Sequence, residues 1–406
     1  MTVIGIDDTD SRERGMCTTY VADRIARQLG DYGAAVERVL LVRCNPAVEH
    51  KTRGNAALAV HTGAAPERAR RIAADIVSEA AETADERTNP AAFARRAVTD
   101  HHTRDSAHRL LSEVGYRAET WKNGRGVIGA LAAVGAWTAF DDWTHEHIAY
   151  RRPERWGTDR EVDFESVFAA ADAHYPAVWD TVDRGTGEAV CVPRTPGPVL
   201  YGVRGDDPDA CQAAADRIEG EPVARSRTFL TNQGTDAHLV DGTIADVENG
   251  RSYRLDGTVA ATPETRRGGH VFFDLSGNDA ELQCVAFEPT KRFRDRVRRL
   301  RGGDELAVCG EVKSDTLKLE KFALRARREV EAVTPTCPEC DRTMESAGRD
   351  QGYRCRDCGT ASDGRAERPL DRDLALGWHE VPPRARRHVA KPLVRGGFDG
   401  PTHPER

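Results

Sequence analysis

The first hundred residues alternate short apolar runs with stretches of helical spacing. Val3, Ile4 and Ile6 open an apolar strand, and Tyr20, Val21, Ile25, Ala26 and Leu29 then fall on one helix face, predicting a helix over 18–29. Apolar, β-branched stretches at 36–42 and 57–61 read as strands, and the alanine-rich stretch 66–84 as a helix. Asn89-Pro90 opens what reads as another helix, to about residue 100. A further helix is expected over 128–136. Strands at 148–150, 189–193, 198–203 and 225–231 then alternate with helices at 164–173 and 207–218, the order of a compact ferredoxin-like sandwich. After residue 236 the texture changes to short strands, at 252–259, 269–275, 282–287, 305–312 and 317–324, with a basic helix, 291–301, between the third and fourth. That is the strand and helix order of an OB-fold.

Composition narrows the class. The 406 residues are 39% hydrophobic and 31% charged, enough for several soluble domains. No apolar run approaches the ~20 residues of a membrane span, and the N-terminus lacks a secretory signal, so a cytoplasmic protein is expected. Only seven of the 59 cationic residues are lysine, a bias that suggests a high-GC, salt-adapted source. The net charge of −7 argues weakly against a general nucleic-acid binder, and in high salt any such recognition leans on shape and stacking.

The densest chemistry lies at the end of the first strand. Asp7, Asp8 and Asp10 put three carboxylates within four residues, as at sites that hold a hard cation beside phosphate oxygens. Thr9 lies among them. Gly15 and the hydroxyls of Thr18 and Thr19 follow at the start of a helix, where phosphate is attracted. A solvated acidic turn reads the carboxylates alone equally well; the helix start favours a nucleotide-phosphate site. Lys51-Thr52-Arg53-Gly54-Asn55, between two strands, combines cations, a hydroxyl and a glycine as a phosphate-gripping loop does, although a polar turn fits it too. Gly124-Arg125-Gly126-Val127-Ile128-Gly129 spells G-x-G-x-x-G without the flanking strands of a dinucleotide site. Its glycines are better read as permitting close approach of a helix to a neighbouring backbone. His101, His102 and His108 match no known ligand spacing and read as surface histidines.

Cys337-Pro338-Glu339-Cys340 and Cys355-Arg356-Asp357-Cys358 have the spacing of two zinc knuckles, so a structural Zn²⁺ held by four thiolates is expected in a ribbon. The other six cysteines are scattered, as in a reducing compartment. Lys291, Arg292, Arg294 and Arg298 on the basic helix are candidates to track a nucleic-acid backbone, though an exposed basic face reads as well. Arg384-Ala385-Arg386-Arg387-His388 and Lys391 form a basic tail.

Taken in order, these motifs resemble the archaeal 2-agmatinylcytidine synthetases that act on the minor, AUA-reading isoleucine tRNA. The resemblance rests on Gly5 to Asp10, Gly15 to Tyr20, Lys51 to Asn55, Gly129 to Gly135, Tyr201 to Gly205, Ala286 to Lys291, the four zinc cysteines, Glu380 to Pro383 and Ala385 to His388. It implies a multidomain α/β plus all-β chain: a kinase-like catalytic domain at 1–125, a ferredoxin-like domain at 126–238, an OB-fold at 239–332, and a zinc ribbon with basic tail at 333–406. It also implies ATP-dependent replacement of the C2 oxygen of the wobble cytidine by agmatine, through a phosphorylated cytidine, so that the tRNA reads AUA instead of AUG. The catalytic residues implied are Asp7, Asp8, Asp10, Thr18 and Lys51, with Mg²⁺ on the three aspartates. Asp8, Thr9, Gly15, Thr18, Thr19, Lys51, Arg53, Gly54 and Asn55 would face ATP, and the threonine matching Thr18 is phosphorylated in the family. Asn232, Asp236 and His238 are candidate substrate contacts. The implied tRNA contacts are Lys291, Arg292, Arg294, Arg298, Arg386 and Arg387. The competing reading, a non-catalytic single-strand binder built on the OB-fold and ribbon, leaves the first two hundred residues without a role. A lysidine-type ligase would carry an S-G-G-x-D-S loop, and none is present.

Overall fold

A computed structural model describes residues 1–47, 54–96 and 118–406. Lys51, Arg53 and the three histidines at 101, 102 and 108 lie outside the described residues. The N-terminal elements are β1 (Thr2–Asp7), α1 (Thr18–Asp31), β2 (Val36–Arg43), β3 (Ala56–Thr62), α2 (Pro66–Ala80) and β4 (Ala91–Arg96), followed by β5 (Ala118–Thr120), α3 (Val127–Ala139) and β6 (Thr144–Tyr150). The four strands β4-β1-β3-β2 are antiparallel neighbours in that order, the 4-1-3-2 order of a split βαβ unit. The second half repeats it with Arg225–Thr231, β6, Val199–Gly205 and Val178–Trp179. Both halves are therefore ferredoxin-like in layout. They join edge to edge through a short parallel pairing of Leu40 and Leu41 with Leu230 and Thr231, giving one nine-stranded sheet.

Alternation along β1 explains its burial on both faces. Ile4 and Ile6 pack under α1 and α2, with Ile25, Leu29, Ile72 and Ile76. Val3 faces the other way, toward Leu131 and Val134 of α3. Gly5 and Asp7 share that second face. A Cβ on Gly5 would stand 2.1 Å from the Ala130 carbonyl oxygen, and one on Gly129 1.9 Å from Asp7 Oδ2. The G-x-G-x-x-G stretch thus lets α3 press onto the strand that ends in the carboxylates.

Residues 91–96 are a strand, not the start of the expected helix. Ala91, Ala92 and Phe93 have helix-compatible composition, but pairing with β1 on one side and β5 on the other overrides local preference. The strand expected at 189–193 reduces to Glu188–Ala189 and continues as turns. The α2 helix stops at Ala80, short of 84.

Strands Arg251–Val259, Val271–Gly277, Ala280–Ala286, Glu305–Lys313 and Thr316–Ala326 form a closed barrel, because Glu305–Lys313 pairs with both the first and the last. The basic helix is shorter than expected, Arg292–Val297, and buries Phe293 and Val297. The chain after the ribbon is not a free tail. Strand Gly377–Glu380 pairs with Thr316–Ala326, and Thr402–His403 pairs beside it, so the segment from 377 onward returns to the barrel sheet.

His61 on β3 is buried with neither ring nitrogen hydrogen-bonded among the described residues, and burial followed by the Arg38 cation pushes it down to about 4. The folded protein therefore resists a proton that the unfolded chain takes up near pH 6.5, so stability falls as pH drops from there toward 4, by about 3 kcal/mol from this group. We expect chemical denaturation of His61→Leu to show a correspondingly shallower loss of stability across that window than the unsubstituted protein.

Candidate active site

The end of β1 is shaped by three backbone facts. Asp8 has φ +59°, Gly15 φ +95° and Met16 φ +62°, so the chain turns sharply around the carboxylates and re-enters at α1. Cys17 caps α1 in an extended conformation, its thiol meeting the Thr19 hydroxyl at 3.0 Å and not a helix N–H, and the first turn holds no acid. Open N–H groups are left at the helix start, beside the Thr18 and Thr19 hydroxyls. Thr9 Oγ1 donates to Thr18 Oγ1 at 3.0 Å, which fixes the second hydroxyl. Asp7 Oδ1 accepts from the Asp8 N–H at 2.6 Å, and Asp8 Oδ2 accepts from the Asn89 N–H at 2.9 Å. Burial, then repulsion from Asp8, drives the Asp7 carboxyl well above its ordinary range. Burial raises Asp8 to about 6, with Asp10 repulsion offsetting part of the Asn89 hydrogen bond.

This motif opens on a cavity of about 350 Å³ at the seam between the two halves of the sheet. Asp10 and Met16 to Thr19 form one end, the Pro196-Gly197-Pro198 loop one wall, and Arg43, Glu146, Arg204 and His388 the floor. Gly15 sits against that loop: a Cβ there would stand 3.0 Å from Gly197 Cα. On the floor, Glu146 of β6 meets Arg43 Nη2 at 3.7 Å and Arg204 Nε at 3.3 Å, and accepts from Gln233 Nε2. Burial pushes the Glu146 carboxyl up, but the Arg204 and Arg43 cations with the hydrogen bonds from Gln233 and Arg204 hold it below its usual value. Arg43 is lowered to about 10, by burial first, with Arg204 adding to it against the pull of Glu146. Gly202 makes room for this cluster, since a Cβ there would stand 2.7 Å from Glu146 Oε1. The cavity has the size and mixed lining of a small-molecule site, with a phosphate-attracting helix start facing a cationic floor.

Family models match the chain almost end to end: the TiaS TCKD domain at residues 3–105, the TiaS FLD domain at 124–238, the OB-fold nucleic acid binding domain at 253–331 and the TiaS C-terminal zinc ribbon domain at 334–374. The isoleucine-tRNA 2-agmatinylcytidine synthetase TiaS of Haloquadratum walsbyi is 51% identical over the whole of both chains. The chain belongs to the TiaS family. The Methanosarcina mazei relative of the same name is 45% identical over 97% of each chain. Among solved structures, the complex of TiaS with its isoleucine tRNA and ATP matches with TM-score 0.87 and 40% identity over 100% of this chain and 99% of that one. Apo TiaS matches with TM-score 0.85 and 41% identity over the whole of both.

Against this TiaS frame, the residues expected from sequence sort as follows. Asp10, Thr18, Thr19 and Gly54 line the cavity and Thr9 and Gly15 support its walls, whereas Asp7 and Asp8 are buried outside its lining, Asp7 on the face covered by α3. Asn55 closes a turn, donating to the Cys44 carbonyl at 2.7 Å. Asn232, Asp236 and His238 do not line the cavity but hold its floor. Asn232 Oδ1 accepts from the Arg43 N–H at 2.7 Å, and His238 Nε2 lies 2.8 Å from the Arg43 carbonyl oxygen. Asp236 pairs with Lys321 of the barrel at 2.6 Å. Sequence reasoning missed Arg43, Glu146, Arg204 and His388, which come from four distant segments. The motifs Tyr201 to Gly205 and Ala385 to His388 were their only signal.

The basic helix is largely neutralised from within. Arg292 pairs with Asp183 at 2.9 Å and with Glu405, Arg294 donates to the Gly269 carbonyl at 2.5 Å, Arg298 pairs with Asp295, and Lys291 with Glu288 at 2.5 Å. Arg386, expected on a free tail, is buried between Asp180 at 2.9 Å and Glu380, and Arg387 lies against Glu311 and Glu320. These two arginines bind the protein to itself.

In the ribbon, the Sγ atoms of Cys337, Cys340, Cys355 and Cys358 all lie within 4.8 Å of one another, the spread that four Zn–S bonds of about 2.3 Å require. The turns Asp341 N–H to Cys337 O and Gly359 N–H to Cys355 O shape the knuckles. Among the described residues only this set converges as metal ligands; Asp7, Asp8 and Asp10 do not.

Two outcomes follow. Glu146→Gln leaves two half-buried guanidiniums without their carboxylate and should lower unfolding stability by about 3 kcal/mol in denaturant titrations. Stripping zinc with a chelator should release about one equivalent per chain by elemental analysis and collapse proteolytic protection of 334–374, with the barrel's protection retained.

Proposed function

We propose that this protein joins agmatine to C2 of the wobble cytidine of the minor isoleucine tRNA, using ATP, and so converts an AUG-reading anticodon to an AUA-reading one. The observation that carries the reading is the seam cavity, in a chain collinear with the TiaS complex that holds its isoleucine tRNA, AMPCPP and agmatine, at 38% identity over 100% of this chain. It also accounts for the N-terminal halves, which a purely nucleic-acid-binding protein would leave idle.

The chemistry explains the residues. The C2 oxygen of cytosine belongs to a urea-like carbonyl and is a poor leaving group. Transfer of a phosphoryl group from ATP onto it makes it a good one, and the primary amine of agmatine then displaces phosphate. We assign Mg²⁺ to Asp7, Asp8 and Asp10 on the resemblance: their oxygens do not converge as one ligand set, but crowding and burial disfavour the negative charge of Asp7 and Asp8, which a divalent cation would relieve. Bound there, it would neutralise charge on the transferring phosphoryl group. The N–H groups at the start of α1 and the hydroxyls of Thr18 and Thr19 orient phosphate oxygens, and Thr18 is assigned as a phosphoryl acceptor on the resemblance. Arg43 and Arg204, fixed by Glu146, face the cavity from the floor and stabilise developing negative charge there. Lys51 and Arg53 are assigned to the triphosphate on the resemblance.

The modules divide the work: residues 1–125 supply ATP chemistry, 126–238 the opposite cavity wall, and the barrel and ribbon hold the tRNA. Single-stranded anticodon bases need little unstacking to enter such a cavity. Lys291 and Arg298, partly exposed on the barrel, are the remaining candidates for phosphate contacts. Among the described residues no helix is long and apolar enough to cross a membrane, and we place the enzyme in the cytoplasm with its tRNA.

Asp8→Asn and Thr18→Ala should each bind the isoleucine tRNA as the unsubstituted protein does, yet lose at least ~100-fold in product formation. Mass spectrometry of the wobble nucleoside after incubation with ATP and agmatine reads this directly. Full activity in Asp8→Asn would remove that carboxylate from the metal site, and absence of agmatinylcytidine with the unsubstituted protein would overturn the function.

A further inference from the structure

Strand Gly377–Glu380 carries the chain from the barrel back to the cavity. Beyond it Arg386 is clasped by Asp180 and Glu380, and the backbone is then stitched to the loop that ends the second half of the sheet. The Gly234 N–H donates to the His388 carbonyl at 2.8 Å, the Asp236 N–H to the Val389 carbonyl at 2.8 Å, and the Lys391 N–H to Asp236 Oδ1 at 2.7 Å. His388 thus enters the cavity on a clamped backbone, and its ring makes no hydrogen bond among the described residues.

We propose that His388 is a catalytic residue that accepts the proton shed by agmatine's amine as it attacks C2 of the phosphorylated cytidine, an assignment that rests on the function given above. The N–C2 bond forms while the C2–O bond breaks, and the electron pair of the broken bond leaves with phosphate. The nitrogen, attacking as a neutral amine, emerges with one proton too many. That proton passes to the imidazole and from it to solvent.

The other groups facing this space are unsuited to the task. Glu146 is saturated by Arg43, Arg204 and Gln233 and held below its usual range. The Cys191 thiol is pushed up to about 12 by burial and stays protonated. Arg43, Arg160 and Arg204 only donate. Asp10 and the Cys17 thiol, which meets Thr19 Oγ1 at 3.0 Å, lie at the phosphate end beside the carboxylates assigned to Mg²⁺. A neutral imidazole with an open lone pair is left.

The floor also gates this base. The imidazole is exposed at the cavity surface, and the neighbouring Arg43 cation, with Arg204 adding to it, holds it below its ordinary value. Phosphate lying against the two guanidiniums cancels that field and restores proton affinity when the activated cytidine is present.

The test separates the two chemical steps in the full-length protein. Transfer of labelled γ-phosphate from ATP to the tRNA without agmatine reads the first, and single-turnover formation of agmatinylcytidine reads the second. In His388→Ala the second step should slow about 100-fold with the first unchanged, and added imidazole should restore part of the loss. His388→Gln, which keeps the side chain's bulk, should show the same split without rescue. Undiminished agmatine attachment in both variants, or equal losses in both steps without imidazole rescue, would overturn the assignment. Failure of the unsubstituted protein to make agmatinylcytidine would instead overturn the function on which it rests.

Discussion

The buried charge cluster around Glu146 is the constraint on which the site depends. The two halves of the sheet meet through only a short parallel pairing between β2 and Arg225–Thr231. At this junction one carboxylate is surrounded by guanidiniums from both halves and by the amide of Gln233. Desolvating these charges costs about as much as their attraction returns, so the cluster contributes little net stability. Its value is geometric. Two long arginine side chains, each with many rotamers when free, are held with their cationic faces toward one cavity. The loop Asn232–Asp236 does most of the holding, since its residues anchor the Arg43 backbone, the Glu146 carboxylate and the His388 segment.

A second constraint works from the opposite side of the sheet. Asp7 is buried because β1 is central and α3 covers its second face, and α3 approaches closely only because Gly5 and Gly129 carry no side chain. A carboxylate forced into that interface is poised to prefer either a proton or a cation. The Mg²⁺ proposed above would offset the cost that this packing imposes on Asp7.

Much of this was legible in the sequence. The period-2 and period-3.6 patterns located most elements of both halves and the barrel, and cysteine spacing located the ribbon. The carboxylate strand and the threonine helix start were visible because their chemistry is contiguous in sequence. The floor was not, because Arg43, Glu146, Arg204 and His388 sit on four segments that only tertiary pairing brings together. Residues 91–96 were misread for a related reason: an alanine-rich run has no strand signature of its own and takes its conformation from β1 and β5. Arg386 illustrates the converse error. A run of cations after two prolines reads as a solvated tail, yet acidic partners from 180 and 380 close over it.

Charge use across the whole chain follows the same logic. Arginines bridge segments far apart in sequence: Arg292 to Asp183, Arg395 to Asp142 at 3.0 Å and Asp206 at 2.5 Å, with Lys321 to Asp236 beside them. Salt screens exposed pairs strongly but reaches those at module boundaries much less, because they are partly removed from solvent. A planar guanidinium can bind two carboxylates at once, which an ammonium does with less directional control. A chain poor in lysine can thus keep barrel and cavity at a fixed separation in concentrated salt. The cost is that these bridging cations are not available to tRNA phosphates. Under the proposed function, the anticodon base is delivered to a cavity whose last wall, His388, is supplied by the segment that returns from the barrel, which ties base capture to the module that would hold the rest of the tRNA.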